Sequence, residues 1–331
     1  MNQSAALKFR RLGMLTICAV YIVILAGGIV RASGAGMGCP DWPTCFGQWI
    51  PPTSEAQLPA NYHEIYAARG YENTQFNPVK TWTEYTNRLV GVTIGFLIFL
   101  TAWSSRIYLK MDKPVFYLAV TAFLLVGFQG WLGSTVVASN LNPLKITLHM
   151  VVALLIVALL IYTITRSQRE SFAPIDLNAL PAKLPKVLNA VVIMSVIQIT
   201  MGTQVREAVD FISHDLALER QFWREDFPII FYIHRSFSSI ILFTNAWLVW
   251  RLWQNVGKNH PLVKAGFLLM GLIITAILAG VSLDRLGMPP VAQPIHLLMA
   301  NIILGTQFFM WLAFRYSTKL TRQLNHNPNA A

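Results

Sequence analysis

Charge is what this chain lacks most. Only 12% of its 331 residues are Asp, Glu, Lys or Arg, about half the ~25% typical of a soluble domain. Together with 54% hydrophobic residues and a mean hydropathy of +0.48, this excludes an ordinary soluble globule. Cysteine is scarce as well, with three in the chain. Cys18 falls in an apolar run and reads as a small apolar residue. Cys39 and Cys45 lie in "GCPDWPTCFG", and two thiols are too few for a structural metal site. A disulfide closing this short loop is expected if the loop faces an oxidising compartment.

Long apolar runs are plentiful. Eight of them, at 12–30, 89–108, 115–138, 144–164, 187–205, 229–249, 265–282 and 292–314, approach the ~20 residues needed to cross a ~30 Å hydrocarbon core. No water inside a bilayer can satisfy the backbone, so these runs are expected to be helices. The first follows Lys8, Arg10 and Arg11, but it is long and no convincing cleavage site follows it, so a retained helix is expected. With the N-terminus cytoplasmic, the inside segments sum to +13 and the outside segments to −2, which satisfies the positive-inside rule. Both termini are then cytoplasmic, and 31–88 and 206–228 are the large outer loops. The basic balance reports topology and contact with anionic lipid, and it gives no case for nucleic acid.

The chain also repeats. "ILAGGIVRAS" (24–33) is similar to "ITMGTQVREA" (199–208), and "EYTNRLVG" (84–91) to "FYIHRSFS" (231–238), which sets Asn87-Arg88 against His234-Arg235. Gly133 precedes His149 by the same 16 residues that separate Gly280 from His296. The expected fold is an all-α integral membrane protein of eight transmembrane helices, arranged as two parallel four-helix-bundle repeats. An N-terminal half at 1–165 and a C-terminal half at 187–331 are joined by a cytoplasmic linker at 166–186.

Of seven histidines, His63, His214, His260 and His326 fall in loops or the tail and read as solvated. His149, His234 and His296 each fall one to two turns inside the outer end of the fourth, sixth or eighth span. Ionisable groups there are functional candidates, although a lone histidine can simply cap a neighbouring helix. Two imidazoles facing across a four-helix bundle make an axial pair for haem iron, which assigns His234 and His296 to the metal. In the other half His149 stands opposite Asn87, a poor iron ligand, so that iron would keep a labile position. Glu84 shares a helix face with Asn87. It reads either as a group able to bind water or move protons or as an interfacial carboxylate paired with Arg88. Arg31, Arg88, Arg206 and Arg235 end their helices on the outer side. They read as interfacial residues or as partners for haem propionates.

These stretches together resemble the haem A synthase family, whose members make the haem of cytochrome oxidases. The most specific is "GGIVRASGAGMGCPDWPTCFGQW" (27–49), followed in order by "EYTNRLVG", "LHMVVALL" (148–155), "YIHRSFS" (232–238) and "IHLLMAN" (295–301). The resemblance implies an oxidoreductase that converts the C8 methyl of haem O to the formyl group of haem A through a hydroxymethyl stage. It implies a resident haem b on His234 and His296, with Arg206 and Arg235 beside it. It places substrate haem O at His149 and Asn87, with Arg31 and Arg88, and makes Glu84 the catalytic carboxylate. Many relatives have histidine at position 87, and some have a cysteine pair in the second outer loop, which this chain lacks. The implied setting is a bacterial inner membrane with the site toward the periplasm. Implied partners are the enzyme that supplies haem O and an electron-transfer protein or quinone, and a homo-oligomer stays open. Two other classes remain in view. A b-type electron-transfer cytochrome would keep both histidine pairs intact and at two depths. A transporter would carry charge near the midplane, and no apolar run contains an acidic residue.

Overall fold

A computed structural model describes residues 3–176, 178–214, 223 and 225–326. Part of segment 206–228, expected to be an outer loop, and the side chains of His214 and His326 lie outside the described residues. All regular structure described is helical: α1 Gln3–Ala32, the one-turn α2 Tyr62–Ile65, α3 Pro78–Ser104, α4 Lys113–Ala138, α5 Pro143–Ser167, α6 Leu184–His214, α7 Ile229–Asn255, α8 Pro261–Arg285 and α9 Ala292–His326. Of the eight long helices, seven are long and apolar enough to cross a membrane, as expected of an integral membrane protein. The remaining one, α7, has 27 residues. Its apolar run is interrupted by His234, Arg235 and Asn245, so of the eight expected spans this one is not met by composition.

Most helices begin where local chemistry lets them. Proline opens α3, α4, α5 and α8, because it needs no N–H partner in the first turn. The Asn77 side chain caps α3 by accepting from Lys80 N at 3.1 Å, and His260 caps α8 by accepting from Leu262 N at 3.2 Å. The α3 cap corrects an expectation. The helix begins eleven residues before its apolar run, so Glu84 sits nearly two turns inside it rather than at its mouth. Asp210 and Asp284 likewise fall within α6 and α8.

The chain divides into two compact units, Met1–Leu160 and Ile161–Ala331, with the boundary inside α5. In the second unit α6, α7, α8 and α9 close a ring in which each packs against two neighbours. Its core interleaves Leu188 and Val191 with Leu248 and Leu252, Leu262 and Leu269, and Met310 and Phe314. Phe172, Ile175 and Leu184, in the segment expected to be a linker, are buried in that same core. A polar pair is enclosed in it: Gln307 Nε2 donates to Asn245 Oδ1 at 3.1 Å, and both residues are fully buried. In the first unit α3 packs against α1 and α4. The Phe9 and Tyr108 rings meet at 5.0 Å, and the Thr16 and Thr101 hydroxyls at 2.8 Å.

The loop between α1 and α3 forms a small core of its own. Cys39 and Cys45 are disulfide-bonded, with Cα atoms 4.8 Å apart. Phe46 is ringed edge-on by Tyr62, Tyr66, Tyr71 and Phe76. His63, expected to be solvated, bonds through Nδ1 to the Tyr71 carbonyl at 2.7 Å and lies against Tyr62. Gly38 lets the loop reach α3, since a Cβ there would stand 2.4 Å from the Lys80 carbonyl oxygen. The Gly38 carbonyl accepts from Thr81 Oγ1 at 2.8 Å.

Candidate functional site

Three histidines share one setting. Each imidazole lies against a glycine of the preceding long helix, where a Cβ would stand 3.2–3.3 Å from its Cε1: Gly133 for His149, Gly202 for His234 and Gly280 for His296. Every heavier residue would push the ring aside. The glycines are therefore the reason an imidazole can pack flush on a helix surface at these points. Sequence reasoning noticed two of these spacings without finding what the glycines do.

In the second unit the structure brings His234 and His296 together, with ring centroids 6.3 Å apart. Metal–imidazole bonds are ~2.1 Å, so the spacing of these rings is compatible with one metal ion between them. His296 Nδ1 is 2.8 Å from the Ala276 carbonyl oxygen, which can only accept. The proton is therefore on Nδ1, and Nε2 keeps the lone pair that a metal takes. A group of three or more metal-ligating side chains, as zinc would want, does not occur among the described residues. The donor set of two imidazoles suits haem iron.

Two arginines expected near this pair are held by carboxylates. Arg206 pairs with Asp210 at 2.9 Å and donates to Gln293, one turn before His296. Arg235 lies 3.5 Å from Asp284 and over the Phe231 and Tyr232 rings. Haem propionates would join charges that are already partly compensated.

The first unit arranges its residues differently. His149 sits on α5 against Gly133, and Gln129 of α4 donates to the His149 carbonyl at 2.8 Å. Asn87 lines an apolar groove of about 660 Å³ between α1 and α3, with Ala26, Ile29, Val30, Trp82, Thr83 and Val90 among its walls. Its Oδ1 is buried and has no hydrogen-bond partner among the described residues. Arg31 is in the last turn of α1, half-buried.

Glu84 is 4% exposed and faces the disulfide loop. One carboxylate oxygen accepts from Cys39 N at 2.8 Å, and the other meets Arg88 Nη2 at 2.5 Å. Arg88 Nη1 donates to the carbonyls of Asp41 and Thr44 at 2.8 and 2.9 Å, and Nη2 to that of Cys39 at 3.2 Å. Four of the five guanidinium donors are thereby used, which leaves only Nε for a propionate. Glu84 is buried and Arg88 largely so, in contrast to the interfacial ion pair that the sequence allowed for. Burial also pushes the nearby Tyr71 phenol up, with the Glu84 charge adding to the effect. Tyr71 stays a neutral donor and holds the Met37 carbonyl at 2.8 Å.

The chain is also similar to known proteins. A family described as cytochrome oxidase assembly protein matches residues 10–308. A heme A synthase of Shewanella oneidensis is 32% identical over 177 residues, and the match covers 50% of this chain and 51% of that protein. One from Shouchella clausii is 32% identical over 142 residues, covering 42% and 39%. The chain thus spans about half the length, or less, of these two curated relatives. A heme A synthase of Brucella anthropi is 24% identical over 336 residues, covering 92% of both chains.

Proposed function

The chain belongs to the cytochrome oxidase assembly protein family, and on that premise we propose that it is a haem A synthase. The reaction we assign oxidises the C8 methyl of haem O to a formyl group through a hydroxymethyl stage. With water as the oxygen source it reads R–CH3 + H2O → R–CHO + 4 H+ + 4 e−. It therefore needs an electron acceptor, a redox protein or a quinone, beside the substrate.

The observation that carries this reading is the His234–His296 pair at 6.3 Å. These imidazoles would hold haem b in the second unit, and Arg206 and Arg235 would be the partners of its propionates. Haem b, when bound, supplies a one-electron relay. His149 binds the iron of haem O in the first unit. Asn87 offers an amide, a weak ligand, and so leaves the far iron position labile. The apolar groove beside Asn87 excludes water from the substrate's hydrophobic flank. Glu84 and Arg88 hold the disulfide loop on α3, and Glu84 is the carboxylate on that helix able to order a water or take up a proton. Arg31, in the last turn of α1, is assigned to the substrate propionates. Membrane placement follows the charge pattern, with both termini cytoplasmic and the site at the outer side of a bacterial inner membrane.

The test is pigment analysis of purified full-length protein from cells that make haem O. Haem b together with haem O and haem A is expected. His234→Ala and His296→Ala should each abolish the low-spin bis-imidazole spectrum, since each removes one strong axial bond. A variant that keeps this spectrum, or wild-type protein carrying haem b but never haem A, overturns the assignment.

A further inference from the structure

Two large apolar side chains stand out on the loop between α1 and α3. Trp49 and Ile50 are 71% and 72% exposed, although the same loop encloses Phe46, Tyr62 and Tyr71 in a core of its own. The first turns of α3 hold this pair in place. The Tyr85 hydroxyl donates to the Trp49 carbonyl at 2.5 Å, and Trp82 Nε1 to the Pro52 carbonyl at 3.3 Å. The Trp82 and Tyr85 rings meet edge-on at 5.8 Å. Residues 49–52, "WIPP", therefore run along one side of α3, where Trp82 and Tyr85 are half-buried.

That side is the one α3 turns toward lipid. Leu89, Val92, Phe96, Phe99 and Trp103 are all exposed, and they follow one another at alternating steps of three and four residues, which is one face of a helix. α3 is among the helices long and apolar enough to cross a membrane. The same steps counted back from Leu89 reach Tyr85 and then Trp82. Glu84 and Arg88, which hold the disulfide part of the same loop, lie to one side of this stripe.

Depth follows from helix geometry. Tyr85 stands four residues before Leu89, where the apolar run begins, and so about 6 Å above it. The polar zone on each side of the hydrocarbon core is about 5–8 Å deep. The level of Tyr85 is thus the headgroup zone, where tryptophan and tyrosine collect because an apolar ring and a polar edge are both accommodated there. Irregular backbone beside lipid needs its polar groups satisfied. In "WIPP" the two prolines have no N–H to satisfy, and the Trp49 and Pro52 carbonyls already accept from α3.

We propose that Trp49 and Ile50 enter the headgroup zone of the bilayer and anchor the disulfide loop to the membrane surface. The partner of this apolar pair is lipid, because the pair continues the lipid-facing stripe of α3. The loop is then fastened twice, by Glu84 and Arg88 on one side of the helix and by lipid on the other. The inference rests on α3 crossing a bilayer and is independent of the haem assignment.

The test uses the full-length protein in vesicles of phosphatidylethanolamine and phosphatidylglycerol. In a Cys18→Ala background the remaining cysteines, Cys39 and Cys45, are bonded to each other. Without reductant, an introduced cysteine therefore takes a nitroxide label alone. Labels are placed through Ile50→Cys, through Val92→Cys on the lipid stripe and through Glu72→Cys in an exposed part of the loop. Power saturation compares collisions with oxygen, which concentrates in lipid, and with a water-soluble nickel chelate. The ratio of oxygen to nickel accessibility at position 50 is expected to lie severalfold above that at position 72 and below that at position 92. A ratio equal to that at position 72 means a solvated pair and overturns the proposal. Protection from both reagents also overturns it, because protein, such as a second copy of the chain, would then cover the pair. A label at position 92 open to the chelate would take α3 out of the membrane and the proposal with it. If Ile50→Cys does not fold, Trp49→Cys is read in the same way, since it keeps the carbonyl that Tyr85 holds.

Discussion

Replacing Glu84 by alanine removes the carboxylate that holds Cys39 N and Arg88 at 2.8 and 2.5 Å. Both side chains are largely withdrawn from water, at 5% and 13% exposure. An exposed ion pair would be worth about 0–1 kcal/mol. Removing one partner of a buried pair costs about 3–5 kcal/mol, because the other charge is left uncompensated. The upper range is expected for Glu84→Ala, since the Cys39 amide also loses its acceptor. Glu84→Gln keeps one accepting oxygen but turns an NH2 toward a donor, so about 1–3 kcal/mol is expected. Thermal unfolding of the detergent-solubilised protein, with limited proteolysis of segment 33–77, measures both effects. The loop should become cleavable in the order wild type, Gln, Ala. An alanine variant within about 1 kcal/mol of wild type and with a fully protected loop would refute the clamp. Chromatography of haems O and A then separates structure from chemistry. A folded Glu84→Gln protein that makes no haem A shows that the reaction needs the charge itself. A folded one that makes normal haem A leaves Glu84 as a loop anchor only. Glu84 belongs to the first unit, so haem b in the second should persist in every variant.

Mass analysis without reductant should show the Cys39 and Cys45 peptides linked, and free alkylation of both would contradict the bridge at 4.8 Å Cα separation. Gly38→Ala should release the loop from α3, because its Cβ would meet the Lys80 carbonyl at 2.4 Å and backbone cannot swing aside. Protection of the loop equal to wild type would refute that. In the second core, Gln307→Leu alone should cost about 1–3 kcal/mol by leaving Asn245 Oδ1 unsatisfied. The double change with Asn245→Leu should recover most of it, and a double variant no more stable than the single would count against this reading.

Much was legible without coordinates because membrane burial is written residue by residue. A run such as 144–164 is apolar throughout, and with no water to satisfy its backbone it can only be a helix. The positions of His149, His234 and His296 follow from the same logic, since an imidazole stands out in such a run. The paired cysteines were legible because they are six residues apart and little else competes for them. Hydropathy also misled in one place. It put the start of α3 at its apolar run, whereas the cap formed by Asn77 and Pro78 starts the helix earlier and carries Glu84 inside.

Tertiary structure alone decided where the polar side chains of these helices spend their hydrogen bonds. Glu84 and Arg88 look like an ordinary helical pair in sequence, yet their remaining partners lie 44–49 residues away in the loop. Gln198 meets a residue 36 positions away, and nothing in "SVIQITMG" announces it. Period and polarity fix which residues leave water. Which donor meets which acceptor depends on helix rotation and on the glycines that let two surfaces close, and those are set only when all the helices pack together.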